Sequence, residues 1–167
     1  MRSIRSAGVE DVAIIHQLAH AIWPEAYKEI LSPEQLAYML EMMYSLEALS
    51  YQVEKQKHLF YLLFDNNTPG GFASISPKYK VSESIYRLNK LYVLPALQGK
   101  GFGKELLNYV YSEAKKQGAI ILELNVNRNN KALKFYEREG FIITKEEDIS
   151  IGQGYFMNDY VMQKELP

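Results

Sequence analysis

Apolar residues near the start of the chain recur every three or four positions, as they do along one face of a helix. This pattern predicts an amphipathic helix over 10–22, which we expect to end at Trp23-Pro24 because proline disfavours helical geometry in the residue before it. Ser32-Pro33 is typical of a helix start and predicts a second helix. Ser45 is the expected cap of a further short helix over 46–56.

The spacing then changes to the alternation and the continuous apolar runs of strands. HLFYLLF and GFASIS, separated by the turn residues DNNTPGG, predict a hairpin, and two more strands are expected over 84–94 and 119–126. A helix predicted over 101–117 lies between these two strands. They should therefore be parallel and joined by a right-handed crossover.

A short first strand at 2–7, a helix over 130–139 closed by Gly140, and two final strands complete the pattern. With the short helix over 46–56 set aside, the predicted order is β-α-α-β-β-β-α-β-α-β-β. This is an α/β (α+β) fold in which helices flank a mixed sheet. One domain is expected, because 167 residues without a repeat or a linker fit a single folded unit.

Composition argues against several classes of protein. About 47% of the residues are hydrophobic and 23% are charged, as in folded globular proteins, and the net charge of -1 argues against a nucleic-acid binder. Without cysteine there is no disulfide, no thiolate metal site and no cysteine nucleophile, and we expect no bound metal. The N-terminus lacks the apolar segment of a signal peptide, and no apolar run approaches ~18 residues. We therefore expect a cytoplasmic protein without a membrane span.

Residues 98–103, QGKGFG, form a glycine-rich turn between a predicted strand and a predicted helix. The first N–H groups of a helix lack intrahelical partners, and the helix dipole is positive there. Glycine lets a phosphate approach the backbone closely, and Lys100 and Lys104 add positive charge. The turn therefore favours a phosphorylated ligand, although a plain strand-to-helix turn can have the same composition.

Two common phosphate motifs do not fit this turn. A Walker A loop would need glycine where Gln98 stands and serine or threonine where Glu105 follows Lys104. A dinucleotide fingerprint starting at Gly99 would need glycine at Lys104. ATP hydrolysis and nicotinamide redox chemistry are therefore disfavoured.

The motif that the turn does fit is Q-x-x-G-x-G, filled by Gln98, Gly101 and Gly103. Here the chain resembles the GNAT superfamily of N-acetyltransferases, in which this loop wraps the pyrophosphate of acetyl-coenzyme A. A second motif of that family, N-x-x-A-x-x-x-Y-x-x-x-G-F, is matched by Asn129, Ala132, Tyr136, Gly140 and Phe141. The two motifs span 88–141. The stretch WPEAYKEILSPEQLAYML also resembles the bacterial spermidine/spermine acetyltransferase group within the superfamily.

The resemblance implies transfer of an acetyl group from acetyl-coenzyme A to a small primary amine by direct attack. In the family, the strands at 84–94 and 119–126 splay apart around the pantetheine arm. The residues that it implies for cofactor binding are Leu91, Tyr92, Val93, Gln98, Gly99, Lys100, Gly101, Phe102, Gly103, Lys104, Asn129, Ala132 and Tyr136. Leu91, Tyr92 and Val93 would act through backbone groups, and Asn129 could instead cap the helix after it.

Tyr136 is the expected general acid, because a phenol can protonate the departing thiolate; the alternative is an aromatic core residue. The base is unassigned. Many family members have a glutamate on the central strand, where this chain has Asn89 and Arg87. The candidates are Glu25, Glu29, Glu83 or a chain of waters, and each glutamate could equally be a solvated surface group.

Charge is unevenly distributed along the chain. Residues 25–54 contain six acids and one base, whereas residues 98–134 contain seven bases and three acids. An acidic acceptor side would attract a polyamine or another cationic amine, unless these charges only solvate helix faces. On the basic side, three residues could meet a ribose phosphate: Arg128, Lys131 and Lys134.

Other readings stay open. They are an acetyl-coenzyme A sensor without catalysis, a nucleotide-binding module, and acetylation of a protein N-terminus or an antibiotic. Four residues cover either the core or a homodimer contact: Met39, Met42, Met43 and Tyr44.

Overall fold

Seven strands form one mixed sheet in the computed structural model, which describes residues 1–78 and 84–167. The strands are β1 (Arg2–Ala7), β2 (Leu59–Asp65), β3 (Thr68–Pro77), β4 (Ile85–Val93), β5 (Ile121–Asn127), β6 (Ile142–Gly152) and β7 (Tyr155–Glu165). Their order across the sheet is β1-β2-β3-β4-β5-β7-β6. Only β4 and β5 pair in parallel, and the other neighbours are antiparallel. The predicted mixed sheet with its one parallel crossover is therefore confirmed.

Five α-helices accompany the sheet in the described part of the chain. They are α1 (Val12–Tyr27), α2 (Pro33–Tyr44), α3 (Leu46–Glu54), α4 (Phe102–Lys116) and α5 (Ala132–Arg138). The predicted caps are confirmed, because Ser32 and Ser45 each accept a hydrogen bond from a backbone N–H of the following helix at 3.1 Å. In this part of the chain, no helix has both the length and the apolar character that crossing a membrane requires.

The predicted end of the first helix at Trp23-Pro24 is wrong, because α1 continues through Pro24 to Tyr27. A proline inside a helix removes one backbone hydrogen bond. Here Trp23 and Tyr27 are both buried, and their ring centroids lie 4.4 Å apart. We attribute the continuation to this burial, since two aromatic side chains contribute more than one backbone bond.

The sheet is covered by helices on both faces, which creates two cores. Helices α4 and α5 pack against one face of the sheet, which we call the α4 face. Helices α1, α2 and α3 pack against the other, which we call the α1 face. Alternate residues of β2 serve the two cores: Tyr61 and Leu63 point to the α4 face, Phe60 and Leu62 to the α1 face. Strands buried on both faces read as continuous apolar runs, as HLFYLLF does.

Candidate active site

The glycine-rich turn leads from the end of β4 into α4. Gly99 and Gly101 have φ angles of +77° and +84°, a region that favours glycine, and no atom lies within 4 Å of a Cβ built at Gly99. The helix ladder starts only with the bond from the Glu105 N–H to the Gly101 carbonyl at 3.1 Å. The N–H groups from Phe102 to Lys104 precede that bond, so they are available to an anion.

Arg2, at the start of β1, holds this turn from outside. Its guanidinium donates to the Lys100 carbonyl at 2.6 Å and to the Glu105 carboxylate at 2.8 Å, and it lies 3.8 Å from the centroid of the Phe102 ring. One side chain therefore contacts the tip of the turn and the first turn of α4. No local pattern predicts this contact, because about 98 residues separate Arg2 from Lys100.

A cleft opens where β4 and β5 separate. Their pairing starts at Ile85 with Ile121 and ends at Arg87 with Glu123, although both strands continue beyond that pair. A register shift in the pairing of β3 with β4 adds one residue near Asn89, where a bulge bends the strand. The separation of the two strands was implied by the family resemblance.

Backbone groups of β4 face the open cleft at alternate residues. The Leu94 N–H donates to the carbonyl of Gly70 in β3. Two residues before Leu94, Tyr92 pairs with Phe72 of the same strand β3. Because antiparallel partners alternate in the direction of their hydrogen bonds, the backbone of Tyr92 faces β3, and that of Leu91 and Val93 faces β5. Of the three predicted residues, Tyr92 therefore contributes its side chain to the cleft instead.

Buried charges tie the strands together where they begin to separate. Glu123 is 2% exposed and accepts from Arg87 at 2.7 Å, from Lys78 at 2.7 Å and from Gln163 at 2.8 Å. Arg87 also donates to Asn125 Oδ1 at 2.6 Å, and Asn125 Nδ2 donates to Asp159 at 3.2 Å. The network thus connects the last pair of β4 and β5 to a carboxylate of β7.

A cavity of about 230 Å³ occupies the cleft and reaches both faces of the sheet. On the α4 face it is lined by Leu124, Val126, Ala132 and Tyr136. On the α1 face it is lined by aromatic and aliphatic side chains, among them Trp23, Tyr27, Met39, Tyr44, Tyr92 and Met157. Met39 and Tyr44 are buried, Met43 is half-buried at the cavity, and Met42 is exposed.

Tyr136 lies on the α4 face of the cavity. Its ring packs edge-on against Phe135 and Phe141, and the residue is 7% exposed. Burial raises the pKa of its phenol above the ordinary value, so the hydroxyl stays protonated at neutral pH. The two roles considered from the sequence, aromatic core residue and proton donor at a cavity, are compatible in this position.

Asn130, the residue after Asn129, makes the capping contact at the start of α5. Asn129 is exposed, whereas the Asn130 side chain lines the cavity and accepts from the Ala132 N–H at 2.9 Å, as a helix cap does. Asn130 Nδ2 also donates to the Tyr27 hydroxyl at 3.4 Å, and that hydroxyl lies 3.0 Å from the hydroxyl of Tyr92. The capping role considered for Asn129 thus belongs to Asn130, and the cofactor contact of Asn129 stays a prediction.

Asp159, on β7, is the one carboxylate among the described residues that line the cavity. It is 3% exposed, and burial raises its pKa, a change that the hydrogen bond from Asn125 opposes. Asp159 was not among the bases predicted from the sequence. Its signal is an acid between the apolar residues Met157 and Val161 on one face of β7, whereas Tyr160 and Met162 belong to the core on the other face.

The sequence-derived bases lie elsewhere. Glu25 is exposed and pairs with Lys28 at 3.1 Å, Glu29 is also exposed, and neither lines the cavity. Glu83 lies outside the described residues. All six acids of the stretch 25–54 are exposed and outside the cavity lining.

The cationic residues of the loop side are mostly at the surface. Lys100, Lys131 and Lys134 are exposed, and Lys104 lies 3.9 Å from Glu139. Arg128 donates to Asp148 and to the Asp159 backbone carbonyl. Among these groups, Arg128 is therefore the one already engaged by carboxylate and carbonyl oxygens.

Lys90 is a buried cation on the α1 face. It is 8% exposed, donates to Gln52 Oε1 at 2.9 Å, and lies 5.3 Å from the centroid of the Tyr44 ring. In the described part of the chain no carboxylate lies within ion-pairing distance of it. Burial lowers its pKa to about 8. Nearby, burial and then Lys90 lower the pKa of His58 to about 4.

Comparison with known proteins identifies the family. The acetyltransferase (GNAT) family model matches residues 15–141, so the chain belongs to that family. It is 33% identical over 86 residues to an uncharacterised N-acetyltransferase, MJ1207, of Methanocaldococcus jannaschii, a match covering 49% of this chain and 38% of that protein. The chain thus spans well under two thirds of that relative's length.

Two further relatives are more completely matched. The alanine N-acetyltransferase of ribosomal protein bS18 from Haemophilus influenzae is 30% identical over 123 residues, which cover 64% of this chain and 78% of that protein. The crystal structure of the PaiA N-acetyltransferase from Thermoplasma acidophilum, in complex with coenzyme A, is 28% identical with a TM-score of 0.82 over 99% of each chain. The narrower resemblance to spermidine/spermine acetyltransferases stays a prediction.

Replacing Arg2 should weaken acetyl-coenzyme A binding. In Arg2→Ala the turn loses two hydrogen bonds and a stacking contact, so binding must order a looser loop, and we expect the Kd to rise about three- to tenfold. Isothermal titration calorimetry measures this. Arg5→Ala is the matched control, because Arg5 lies on the same strand and pairs with Asp11. Equal Kd values for the two variants would contradict the role of Arg2.

Lys90 should make stability depend on pH. Its pKa is lower when folded, about 8 against 10.5, so the unfolded chain binds more protons between these values and stability rises as the pH rises. From pH 7.5 to 9.5, wild type should gain on the order of 2 kcal/mol relative to Lys90→Met. Urea unfolding of both proteins at both pH values measures the gain. A parallel pH dependence of the two proteins would show that the Lys90 pKa is not lowered.

Proposed function

We propose that the protein is an N-acetyltransferase that moves an acetyl group from acetyl-coenzyme A to a primary amine by direct attack. The observation that carries this proposal is the cavity through the sheet. It meets Tyr136 on the α4 face, where the glycine-rich turn lies, and the aromatic wall on the α1 face. A thioester entering from the first side and an amine entering from the second would meet between β4 and β5.

The residues on the α4 face fit the cosubstrate. The turn from Gly99 to Lys104 offers unpaired N–H groups at a helix start, which suits a pyrophosphate. The backbone groups of Leu91 and Val93 face the cleft, where they can pair with pantetheine amides as an added strand would. Acetyl-coenzyme A supplies an activated acyl group, and the Leu91 N–H, which faces the cleft, would stabilise negative charge on its carbonyl oxygen.

Asp159 is the proton acceptor in this proposal. A carboxylate buried on the α1 face attracts the ammonium form of the substrate and takes one proton from it, which frees the nitrogen lone pair that attacks the carbonyl carbon. The second proton leaves the nitrogen of the tetrahedral adduct for water as the C–S bond breaks. Its raised pKa makes it a stronger base than an exposed carboxylate. Tyr136 donates its proton to the departing sulfur from the other face.

Polyamines were the acceptors expected from the charge pattern. The acids behind that expectation are exposed and outside the cavity lining, so the proposal is restricted to a primary amine. A sensor without catalysis remains the competing reading. No observation favours the sensor reading, because it rested on the lack of a base and Asp159 supplies a candidate base.

Changing Tyr136 to Phe should lower turnover without weakening cosubstrate binding. The ring and its packing are kept and only the acidic proton is lost, so we expect kcat to fall about 100-fold or more. The assay is release of free coenzyme A thiol with a panel of primary amines, alongside the Tm shift caused by acetyl-coenzyme A. Unchanged turnover would exclude Tyr136 as the acid, and no thiol release by wild type with any amine would exclude the proposed function.

Asp159→Asn should lower kcat/KM at neutral pH at least about tenfold, because the amide cannot accept the proton. The remaining activity should rise steeply with pH, because a larger fraction of the amine is then already deprotonated in solution. Asp148→Asn is the matched control, since it makes the same change in an exposed carboxylate of β6. Rates against pH for both variants give the comparison. If Glu25→Gln lost activity and Asp159→Asn kept it, the assignment of the base would be wrong.

A further inference from the structure

The α1 face of the cavity has an aromatic and sulfur-rich wall. The Trp23 ring lies 4.4 Å from that of Tyr27, 5.4 Å from Tyr44 and 5.8 Å from Tyr92, as centroid distances. Further toward solvent the wall continues with Met43, Phe156 and Met157. The Gln35 side chain donates to the Phe156 carbonyl at 2.9 Å, which holds the β6–β7 hairpin against α2. Burial of an apolar substrate group against this wall is energetically favourable.

Charge in the cavity favours a single ammonium group. Three charged side chains line it among the described residues, and they are Arg87, Lys90 and Asp159. Arg87 is paired with Glu123 at 2.7 Å, and among residues 1–78 and 84–167 Lys90 has no carboxylate partner. One carboxylate can therefore neutralise one substrate ammonium, and a second ammonium would be buried beside a cation.

We propose that the acceptor is a monoamine carried on an apolar group of about aromatic size, and that polycations are poor substrates. The inference rests on the proposed function and names the substrate class of its site. An apolar body fills the wall around Trp23, and the amine reaches Asp159. A second charge on the substrate meets Lys90 or stays unpaired, which is unfavourable in a buried site.

Matched amines test this inference. The two pairs are n-hexylamine against 1,6-diaminohexane, and phenethylamine against spermidine, each assayed by thiol release under kcat/KM conditions at pH 7.5. We expect the monoamine of each pair to be favoured at least about tenfold. Equal or better use of the diamine and spermidine would overturn the inference and leave the proposed function intact. If acetyl-coenzyme A raised the Tm but no amine released thiol, both would be rejected.

Lys90→Met gives an independent readout. The variant removes the unpaired cation and adds apolar surface, so the preference for n-hexylamine over 1,6-diaminohexane should shrink at least about threefold. Lys55→Met is the matched control, because Lys55 is exposed and lies outside the cavity lining. A ratio that changes equally in both variants, or in neither, would contradict the role of Lys90.

Discussion

The end of pairing between β4 and β5 is the constraint on which the rest of the site depends. Two parallel strands normally continue side by side, because each unpaired backbone group in a sheet interior loses a hydrogen bond. Here the pairing stops at Arg87 and Glu123, and a buried ionic network holds that point. Because Glu123 is buried and depends on Lys78 and Arg87 for charge compensation, separating these groups would be costly, and this cost fixes the place where the strands separate.

The two faces of the cleft come from the two cores. On the α1 face, the continuation of α1 past Pro24 brings Tyr27 to the cavity. The Tyr27 hydroxyl then meets Tyr92 of β4 and Asn130 before α5, so one side chain links elements from three parts of the chain. A helix that ended at Trp23 would leave this wall incomplete.

The sequence predicted the local structure and the features that the two family motifs mark. Turn glycines, caps, the order of elements along the chain and the parallel crossover follow from local patterns, and the glycine-rich turn was found through its spacing. Asp159 and Lys90 were not found, because alternation places a side chain on one face of a strand and does not say what lies across from it. The acids of residues 25–54 are exposed, and counting charges along a chain does not show whether their side chains face a cavity or solvent.

Exclusion of water joins the chemistry of the cavity to its shape. The same burial raises the pKa of Tyr136 and of Asp159 and lowers that of Lys90, because each shift disfavours the charged form. In the proposed reaction a protonated phenol can donate, and a carboxylate of raised pKa accepts more readily. Hydrogen bonds to a carbonyl oxygen also strengthen where the effective dielectric is low. The burial on the α1 face that would select an apolar amine therefore also makes Asp159 the better acceptor of its proton.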